Sequence, residues 1–376
     1  MTKKILFVCR YTSEMYGEDV NYSVNRKVLG ILNSFKLLGF EPEILRTNDG
    51  INCKSKNKTE YYDSQIKVID TCSTNKNFPR IINYVRNIIK NTLVLKKIKD
   101  HYQYVIFWDF LPDTFLPVFL SKIEREKVII DIEESISHDP EASYIFKLFE
   151  AFCLRIYSTQ IGFESKKGLN QSSERTISIN GFFAQTIQEE EYCYGLLQNY
   201  SRINKPRIFY ASRFDENRGI DVLVNLIKLD SKNQYFKFEI CGFGSKFYLE
   251  KLKSINHPEL SVNYEISRNE YLRKLVNSEA SINILKNDDF AANSFPSKLI
   301  EYLCLGGLIF SNIHYQELET NFIKISLDYN SMYDQLIDTL IKSSSSVRHI
   351  EINKQNISKY TLEDTSEKIK TLITTK

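Results

Sequence analysis

The sequence predicts an α/β fold made of two similar halves, in which short buried strands alternate with helices. The first observation is the opening stretch, where a strand pattern at residues 4–9, a helical pattern at 21–38 and a strand at 41–45 form a β-α-β unit. The second is that a strand at 207–211 and a helix at 220–229 start the same rhythm again. The length of 376 residues, with 42% hydrophobic content, gives room for two domains.

The remaining elements of the first half follow from short apolar runs and from helical spacing. Strands are predicted at residues 104–108, 128–132, 160–163 and 176–180, and helices at 80–100 and 141–157. The polar stretch at 47–78 predicts a loop with at most a short strand at 66–69.

The second half follows a segment at 184–205 that mixes acidic, aromatic and Asn residues, which we interpret as a linker with an embedded helix. Strands are predicted at 236–241, 260–264, 280–285 and 308–310, and helices at 269–275, 296–305 and 360–375. Pro296 suits the first turn of its helix because its missing N–H would be unpaired there, and Gly306 and Gly307 end that helix.

The helix that starts at Pro296 carries the first functional prediction. It begins at the carboxyl end of a predicted strand, and such helix N-termini present free N–H groups and a partial positive charge that favour phosphate. Ser297 and Lys298 add a hydroxyl and a cation at the same place. Glu301, about one turn further on, can accept hydrogen bonds from sugar or ribose hydroxyls; the alternative is a solvated helix carboxylate.

Residues 295–307, with the sequence FPSKLIEYLCLGG, resemble the donor-site segment of family 4-like glycosyltransferases. The resemblance implies the GT-B architecture, in which two Rossmann-like domains face a central cleft. It implies that Glu301 is the second glutamate of a Glu-x7-Glu pattern and binds the nucleotide ribose. Asn293 stands where the first glutamate would contact the transferred sugar. Ser297, Lys298 and Leu299 are then donor-binding residues as well.

A second match to the family lies in the loop after the strand at 207–211. The family pattern is Gly-Arg, four residues, Lys-Gly; here Arg213 matches the first cation, and Arg218-Gly219 replaces Lys-Gly with the charge kept. Two cations around such a loop can clamp a diphosphate and stabilise the charge that develops on the leaving group. We therefore predict catalytic roles for Arg213 and Arg218; the alternative is a pair of ordinary exposed arginines.

Two further matches concern the nucleotide. Gly242 and Gly244 resemble the family's Gly-x-Gly, where the backbone approaches the nucleotide, although a plain strand-to-helix turn would also use glycine. Glu265 and Ile266 match the place where the family's main chain meets the base. The resemblance therefore implies that all four residues bind the donor.

The first half matches the family less closely. Its first loop often carries paired glycines, and here only Gly17 is present. Glu133 follows the strand at 128–132, where the family often has a histidine that touches the sugar. It is either a polar contact or base near the anomeric carbon, or a carboxylate that caps the next helix. Asp109 and Asp113 flank Pro112, which favours a turn over a metal site.

The helix at 80–100 is basic and amphipathic, with Ile81, Val85 and Ile89 among its apolar residues. A basic amphipathic helix can rest on an anionic membrane. The other interpretation, which the sequence favours, is a surface helix that buries one apolar stripe in its own domain.

Composition restricts the remaining possibilities. The net charge of +3 is no nucleic-acid signature. The seven cysteines are odd in number and widely spaced, which indicates a reduced cytoplasm, no disulfide framework and no metal site. No stretch predicts a membrane span or a signal peptide, so we expect a cytoplasmic protein, with peripheral contact at the inner face of the membrane left open.

The predicted organisation is an N-terminal acceptor domain at 1–183, a C-terminal nucleotide-sugar domain at 184–355, and a helix at 356–376 that returns to the first domain. The resemblance implies a retaining, metal-independent, hexosyltransferase-like enzyme that needs no cofactor besides its nucleotide-sugar donor, UDP- or GDP-linked. The expected acceptor is a glycan or a lipid-linked glycan of surface polysaccharide or glycolipid assembly. The alternatives are a non-catalytic partner subunit on the same fold that binds glycan or stabilises another transferase, and a sugar-nucleotide epimerase.

Overall fold

The computed structural model covers residues 1–376, and its description here is confined to the residues whose placement it defines. These are residues 3–12, 22–47, 60–63, 65–71, 78–132, 144–157, 159–162, 176–179, 181–200, 205–286, 297–313, 322–342 and 357–374.

The chain divides into two compact units. Unit 1 comprises Met1–Ile187 together with Leu362–Lys376, and unit 2 comprises Gln188–Thr361. The unit boundaries lie within a few residues of the predicted domain boundaries at 183/184 and 355/356. The segment predicted as a linker contains a helix at Ile187–Gln198, most of which belongs to unit 2.

Unit 1 is built on a sheet whose strand order is β3-β4-β2-β1-β5-β6-β7-β8. Seven of its eight strands run parallel, and β3 pairs antiparallel with β4. The strands are β1 (Lys3–Cys9), β2 (Phe40–Arg46), β3 (Glu60–Asp63), β4 (Ile66–Asp70), β5 (Tyr104–Trp108), β6 (Val128–Ile132), β7 (Gln160–Gly162) and β8 (Thr176–Ser178).

Helices cover both faces of this sheet, which explains why its central strands are apolar throughout rather than alternating. The helices of unit 1 are α1 (Tyr22–Leu37), α2 (Arg80–Ile98), α3 (Pro112–Leu120), α4 (Tyr144–Ile156) and the C-terminal α11 (Leu362–Thr374). On one face, α1 and α11 share a buried cluster with Phe7 and Ile106. On the other, residues of α2, α3 and α4 pack around Phe107 and Ile130.

Unit 2 has a parallel six-stranded sheet of order β11-β10-β9-β12-β13-β14. Its strands are β9 (Arg207–Phe214), β10 (Lys237–Gly244), β11 (Leu260–Tyr264), β12 (Ala280–Asn283), β13 (Leu308–Ser311) and β14 (Phe322–Lys324). Its helices are α5 (Ile187–Gln198), α6 (Ile220–Asp230), α7 (Lys246–Lys253), α8 (Arg268–Val276), α9 (Ser297–Leu305) and α10 (Tyr329–Leu336). Two sheets of this kind confirm the predicted doubly wound α/β class.

The structure adds elements that the sequence did not reveal. Strands β3 and β14 and helices α3, α7 and α10 were not predicted, because each is short or lies in a polar stretch with weak periodicity. Pro112 occupies the first turn of α3, so the Asp109–Asp113 segment leads into a helix rather than a simple turn.

The orientation of α2 divides its apolar residues between the core and the surface of unit 1. Ile81, Val85 and Ile89 are exposed at 64%, 47% and 54%. The residues that α2 buries are largely polar: Asn83, Asn87, Ile88, Asn91, Thr92 and Leu95. The helix therefore buries Ile88 and Leu95 in its own unit and leaves Ile81, Val85 and Ile89 exposed.

The hydropathy of the described helices was also compared with that of membrane spans. Within the described ranges, none of the helices combines the length and apolar character that crossing a bilayer requires.

Candidate functional site

The strand order of unit 2 places a topological switch point between β9 and β12. The chain leaves β9 toward β10 and β11 on one side, and later returns to β12, β13 and β14 on the other. Open α/β sheets bind ligands at the carboxyl ends of the strands beside such a point. Arg213 stands at the end of β9, Arg218 lies in the turn that follows it, and α9 follows β12, so both predicted phosphate-binding segments arise at this edge.

The turn after β9 is held firmly by its own side chains. Residues 216–218 form a 3-10 turn, and the Asp215 side chain accepts a hydrogen bond from the Arg218 N–H at 3.0 Å. The Tyr210 hydroxyl donates to the Arg218 carbonyl at 2.6 Å. The main chain of Arg218 is therefore fixed on both its donor and its acceptor side.

Gly219 is required by the close approach of this turn to β12. Its φ of +68° lies in the left-handed region, and a Cβ there would stand 2.1 Å from Cγ2 of Ile284. The Gly of the Arg-Gly pair thus allows the β9–α6 turn to contact the residue that follows β12, directly at the switch point.

Lys286 is a site residue that the sequence analysis missed. Its N–H donates to the Asn217 carbonyl at 2.9 Å, and its Nζ lies 2.5 Å from the Asp221 carboxylate and 3.5 Å from that of Glu216. Burial lowers the pKa of Lys286, but its hydrogen bond to Asp221 and the nearby carboxylates outweigh this and raise it. Lys286 is therefore a paired cation that fastens the Arg218 turn. Lys286 could have been found from the sequence, because it directly follows a predicted strand, where open α/β sheets place ligand-binding residues.

Arg213 and the two glycines of β10 lie side by side. Arg213 is exposed, and its Nε is 3.8 Å from Asp215. A Cβ on Gly244, whose φ is +109°, would lie 3.0 Å from Cγ of Arg213. A Cβ on Gly242 would lie 2.2 Å from the Ser212 carbonyl oxygen. The Gly-x-Gly therefore lets the end of β10 approach the Arg213 segment, as it would in any close packing of two loops.

Glu265 and Ile266 reach the same edge from β11. The Glu265 N–H donates to the Gly242 carbonyl at 2.9 Å, and Glu265 itself adopts a left-handed φ of 54°. Its side chain is exposed and that of Ile266 is half-buried. The predicted base-contact segment thus adjoins the predicted glycine turn.

The first turn of α9 offers main-chain donors at this edge. The N–H groups of Ser297, Lys298 and Leu299 belong to the first turn, where helical donors lack intrahelical acceptors. The Leu299 side chain is fully buried, so its contribution to a ligand would come from the main chain. The Tyr302 hydroxyl bonds to both N–H and C=O of Ala211, at 3.0 and 3.2 Å, and so fastens α9 to β9.

Lys298 lies near the end of β10. Burial raises the pKa of the Cys241 thiol of β10 to about 12, and the positive charges of Lys274 and Lys298 oppose this rise. The cations Arg213, Arg218 and Lys298 are therefore all carried by segments that meet at the carboxyl edge of one sheet.

The Glu301 carboxylate is neither solvated nor open to a ligand. It is completely buried rather than solvated, its Oε1 lies 2.5 Å from Nη2 of Arg268, and its Oε2 accepts a 2.6 Å hydrogen bond from Tyr271. The solvated-carboxylate alternative is wrong. Ribose binding by Glu301 stays a prediction, and it would require the carboxylate to exchange one of these partners for a ribose hydroxyl.

Arg268 connects this carboxylate to a second one. Its Nε lies 2.6 Å from Glu189 of α5, and its guanidinium lies 5.2 Å from the centre of the Tyr271 ring. Burial lowers the pKa of Arg268, but the charges of Glu301 and Glu189 raise it above the ordinary value. Arg268 therefore joins α5, α8 and α9. No pattern in the sequence points to Arg268, because its partners are distant along the chain.

Four predicted positions cannot be placed in this geometry. Gly17, Glu133 and Asn293 lie outside the described residues, and so does the side chain of Ser297. Their predicted roles in donor binding or catalysis stay predictions.

Unit 1 has its own polar cluster at the carboxyl edge of its sheet, at the switch point between β1 and β5. Arg10 follows β1 and makes a bidentate contact with Asp113, with Nε and Nη2 at 2.9 and 2.7 Å from its two oxygens. Thr47, which follows β2, donates to the same carboxylate at 2.9 Å. Asp113 is 1% exposed, so these groups neutralise a buried charge.

The described residues lack two kinds of reactive centre. No group of three or more His, Cys, Asp or Glu side chains in the described ranges is arranged to hold a metal ion. The described cysteines are free and buried, and burial raises the pKa of the Cys153 and Cys193 thiols to about 12. A described cysteine therefore does not supply a thiolate at neutral pH.

Solved structures were compared with the chain over its whole length. A glycosyltransferase from Rickettsia africae aligns with a TM-score of 0.67 at 13% identity, covering 100% of both chains. A sucrose-phosphate synthase from Thermosynechococcus elongatus aligns with a TM-score of 0.64 at 12% identity, covering 98% of both chains. A candidate UDP-N-acetylglucosamine 2-epimerase from Listeria monocytogenes gives 0.60 at 10% identity, covering 99% of this chain and 96% of that one.

These similarities establish the fold. The chain has the two-domain GT-B fold, as the sequence predicted, and at these identities the similarity extends no further than the fold. No protein-family model matches the chain. No curated protein matches it by sequence.

The close approach at Gly219 gives a stability prediction. Gly219→Ala should lower the free energy of unfolding by at least about 2 kcal/mol, because it combines an unfavourable φ with a clash against Ile284. Urea unfolding followed by circular dichroism measures the change. The matched control is Gly195→Ala in α5, where an added Cβ meets nothing within 4 Å. Equal stability of the two variants would contradict the role of Gly219.

The buried pair at Glu301 gives a second prediction. Arg268→Ala should destabilise unit 2 by about 3–5 kcal/mol, because it leaves the buried carboxylate without its cation. Arg273→Ala, which removes an exposed arginine of the same helix, should change the unfolding free energy by less than about 0.5 kcal/mol. Denaturant unfolding of both variants tests this, and an Arg268→Ala effect as small as that of Arg273→Ala would show that the pair carries little stability.

Proposed function

We propose that the chain is a glycosyltransferase that takes a sugar from a nucleotide diphosphate donor bound at the carboxyl edge of the unit 2 sheet. The observation that carries the proposal is the convergence at one switch point of the Arg213–Arg218 turn and the first turn of α9 with Lys298. The sequence similarity of these same segments to donor-site motifs supports it independently of the fold.

The chemistry follows from the charges at this edge. A diphosphate placed between the β9–α6 turn and the start of α9 would receive main-chain N–H donors and the positive end of the helix. Arg213 and Arg218 would supply charge-assisted hydrogen bonds. As the glycosidic bond breaks, negative charge grows on the departing diphosphate, and these groups stabilise it more in the transition state than in the ground state.

The finer part of the proposal rests on the motif similarity. In this finer form, the chain is a family 4-like enzyme that retains the anomeric configuration, needs no metal ion and uses a UDP- or GDP-linked donor. The finer form also includes a glycan or lipid-linked acceptor on unit 1, and a role in surface polysaccharide or glycolipid assembly at the cytoplasmic side of a membrane. Exclusion of water from the donor would favour transfer over hydrolysis.

One observation favours a second candidate function. Both oxygens of Glu301 are occupied by Arg268 and Tyr271, so the residue matched to the ribose ligand is engaged within the protein. A non-catalytic partner subunit on the same fold would not need Glu301 for ribose binding, so the engagement of Glu301 would not impair its function. It would bind glycan or a transferase and show no turnover of a nucleotide sugar.

The experiment compares binding and turnover in the same preparations. We expect UDP or GDP to bind the purified protein in a calorimetric titration. Arg218→Ala should weaken this binding by about tenfold to a hundredfold, the range for a lost hydrogen bond to a charged group. Arg273→Ala, an exposed arginine of α8, serves as the control and should leave the affinity unchanged.

Turnover separates the candidate functions. A panel of nucleotide sugars is tested for release of free nucleotide, with and without a lipid or glycan acceptor, and with a chelator present. Acceptor-dependent release that survives the chelator fits the proposal, and proton NMR of the product gives the anomeric configuration. Conversion of the donor without an acceptor indicates an epimerase. Binding without turnover indicates the partner subunit, and the lack of any nucleotide binding overturns the donor site.

A further inference from the structure

The exposed face of α2 is apolar along most of its length. Four residues at four-residue spacing, Ile81, Val85, Ile89 and Leu93, are exposed at 64%, 47%, 54% and 54%. Ile82 adds another exposed side chain at 47%. Residues spaced in this way lie on one side of a helix, so they form a continuous apolar stripe toward solvent.

The inward face of α2 is fixed by polar contacts, so the helix cannot turn its stripe inward without breaking them. The Asn83 side chain donates to the Phe78 carbonyl at 3.3 Å, and Asn91 accepts a hydrogen bond from the Thr71 hydroxyl. The Thr92 carbonyl accepts from the Ser121 hydroxyl of the neighbouring helix at 3.3 Å. Rotating the helix would expose Leu95, which packs in the core of unit 1, and would leave these buried groups unpaired.

The neighbouring helices of unit 1 continue the apolar exposure. In α3, Phe119 and Leu120 are exposed at 38% and 46%, and in α4, Leu148 and Phe152 are exposed at 52% and 47%. The Phe119 and Phe152 rings are in contact, with centroids 6.0 Å apart, so α3 and α4 meet through these exposed residues. Large apolar side chains exposed on one helix and on the helices beside it mark a candidate interaction site.

The charge of α2 indicates what covers this face. Every ionisable side chain between Arg80 and Ile98, apart from Tyr84, is a cation, and no acidic residue occurs in the helix: Arg80, Arg86, Lys90, Lys96 and Lys97. Arg80, Arg86, Lys96 and Lys97 are exposed. Lysine is depleted in protein–protein interfaces, whereas Lys and Arg beside an exposed apolar stripe are typical of helices that lie on anionic lipid.

We propose that unit 1 binds the surface of an anionic lipid bilayer through this face, with α2 lying in the plane of the interface. Its exposed isoleucines, valine and leucine enter the boundary between headgroups and acyl chains, and its lysines and arginines contact anionic headgroups. α3 and α4 contribute Phe119, Leu120, Leu148 and Phe152 to the same contact. This binding stands apart from sugar transfer and requires no nucleotide.

Vesicle sedimentation without any nucleotide sugar tests the proposal. The wild-type protein should sediment with vesicles of phosphatidylcholine and phosphatidylglycerol in equal amounts, and at least tenfold less with phosphatidylcholine alone. Ile89→Glu should weaken binding to the anionic vesicles by at least about tenfold, because it removes buried apolar area and adds a negative charge. Ile89→Ser removes the apolar contact alone and should weaken binding less than Ile89→Glu does, and circular dichroism verifies that each variant is folded.

A second set of variants measures how much the cations of α2 contribute to vesicle binding. Removal of two cations in Arg86→Gln with Lys97→Gln should weaken partitioning by roughly fivefold for each. The matched controls are in α7 of unit 2: Phe247→Glu, at an aromatic residue that is 68% exposed, and Lys251→Gln with Lys253→Gln. These controls should leave binding unchanged.

Two results would overturn the proposal. One is that the wild-type protein does not bind anionic vesicles, or that the Ile89→Glu variant binds them as strongly as the Phe247→Glu variant does. The other is a wild-type dimer in light scattering that Ile89→Glu converts to a monomer while neither binds vesicles, which would assign the face to a second copy of the chain.

Discussion

The ion pair between Arg268 and Glu301 is the contact on which the geometry of the candidate donor site depends. Glu301 stands in α9, one turn beyond the N–H groups assigned to phosphate, and it is completely buried. Because Arg268 also binds Glu189, this one guanidinium sets α9 against α8 and α5. A buried carboxylate without a cation is costly, so the pair leaves the helix little freedom to shift. The N–H groups proposed to bind phosphate are therefore held in position without a ligand.

The sequence predicts the main-chain part of this site well, because local rules govern it. The Gly306-Gly307 pair predicts the end of a helix, and the predicted end at Leu305 agrees with the structure. Gly219 marks a place where the backbone of one loop must approach another strand end, and its positive φ explains why glycine stands there. Such features are visible in a few neighbouring residues, and the two-domain fold follows from repeating them along the chain.

The side-chain partners were beyond prediction, because they depend on how distant segments fold together. Glu301 has the pattern of a surface or ligand-binding carboxylate, and only the fold brings Arg268 and Tyr271 to it. Lys286 likewise finds Asp221 across the switch point. In α2, periodicity defines an apolar stripe but not which side faces inward. Polar contacts such as that between Thr71 and Asn91 decide this, and they place the stripe toward solvent.

The central claim is that a diphosphate binds between the β9–α6 turn and the start of α9. Hydrogen–deuterium exchange of the full chain, with and without UDP or GDP, tests it most directly because the proposed donors are main-chain N–H groups. The account predicts slower exchange at residues 211–219 and 297–301 when the nucleotide is bound, with little change in unit 1. Nucleotide binding that leaves both segments unchanged, or that protects unit 1 alone, would contradict it.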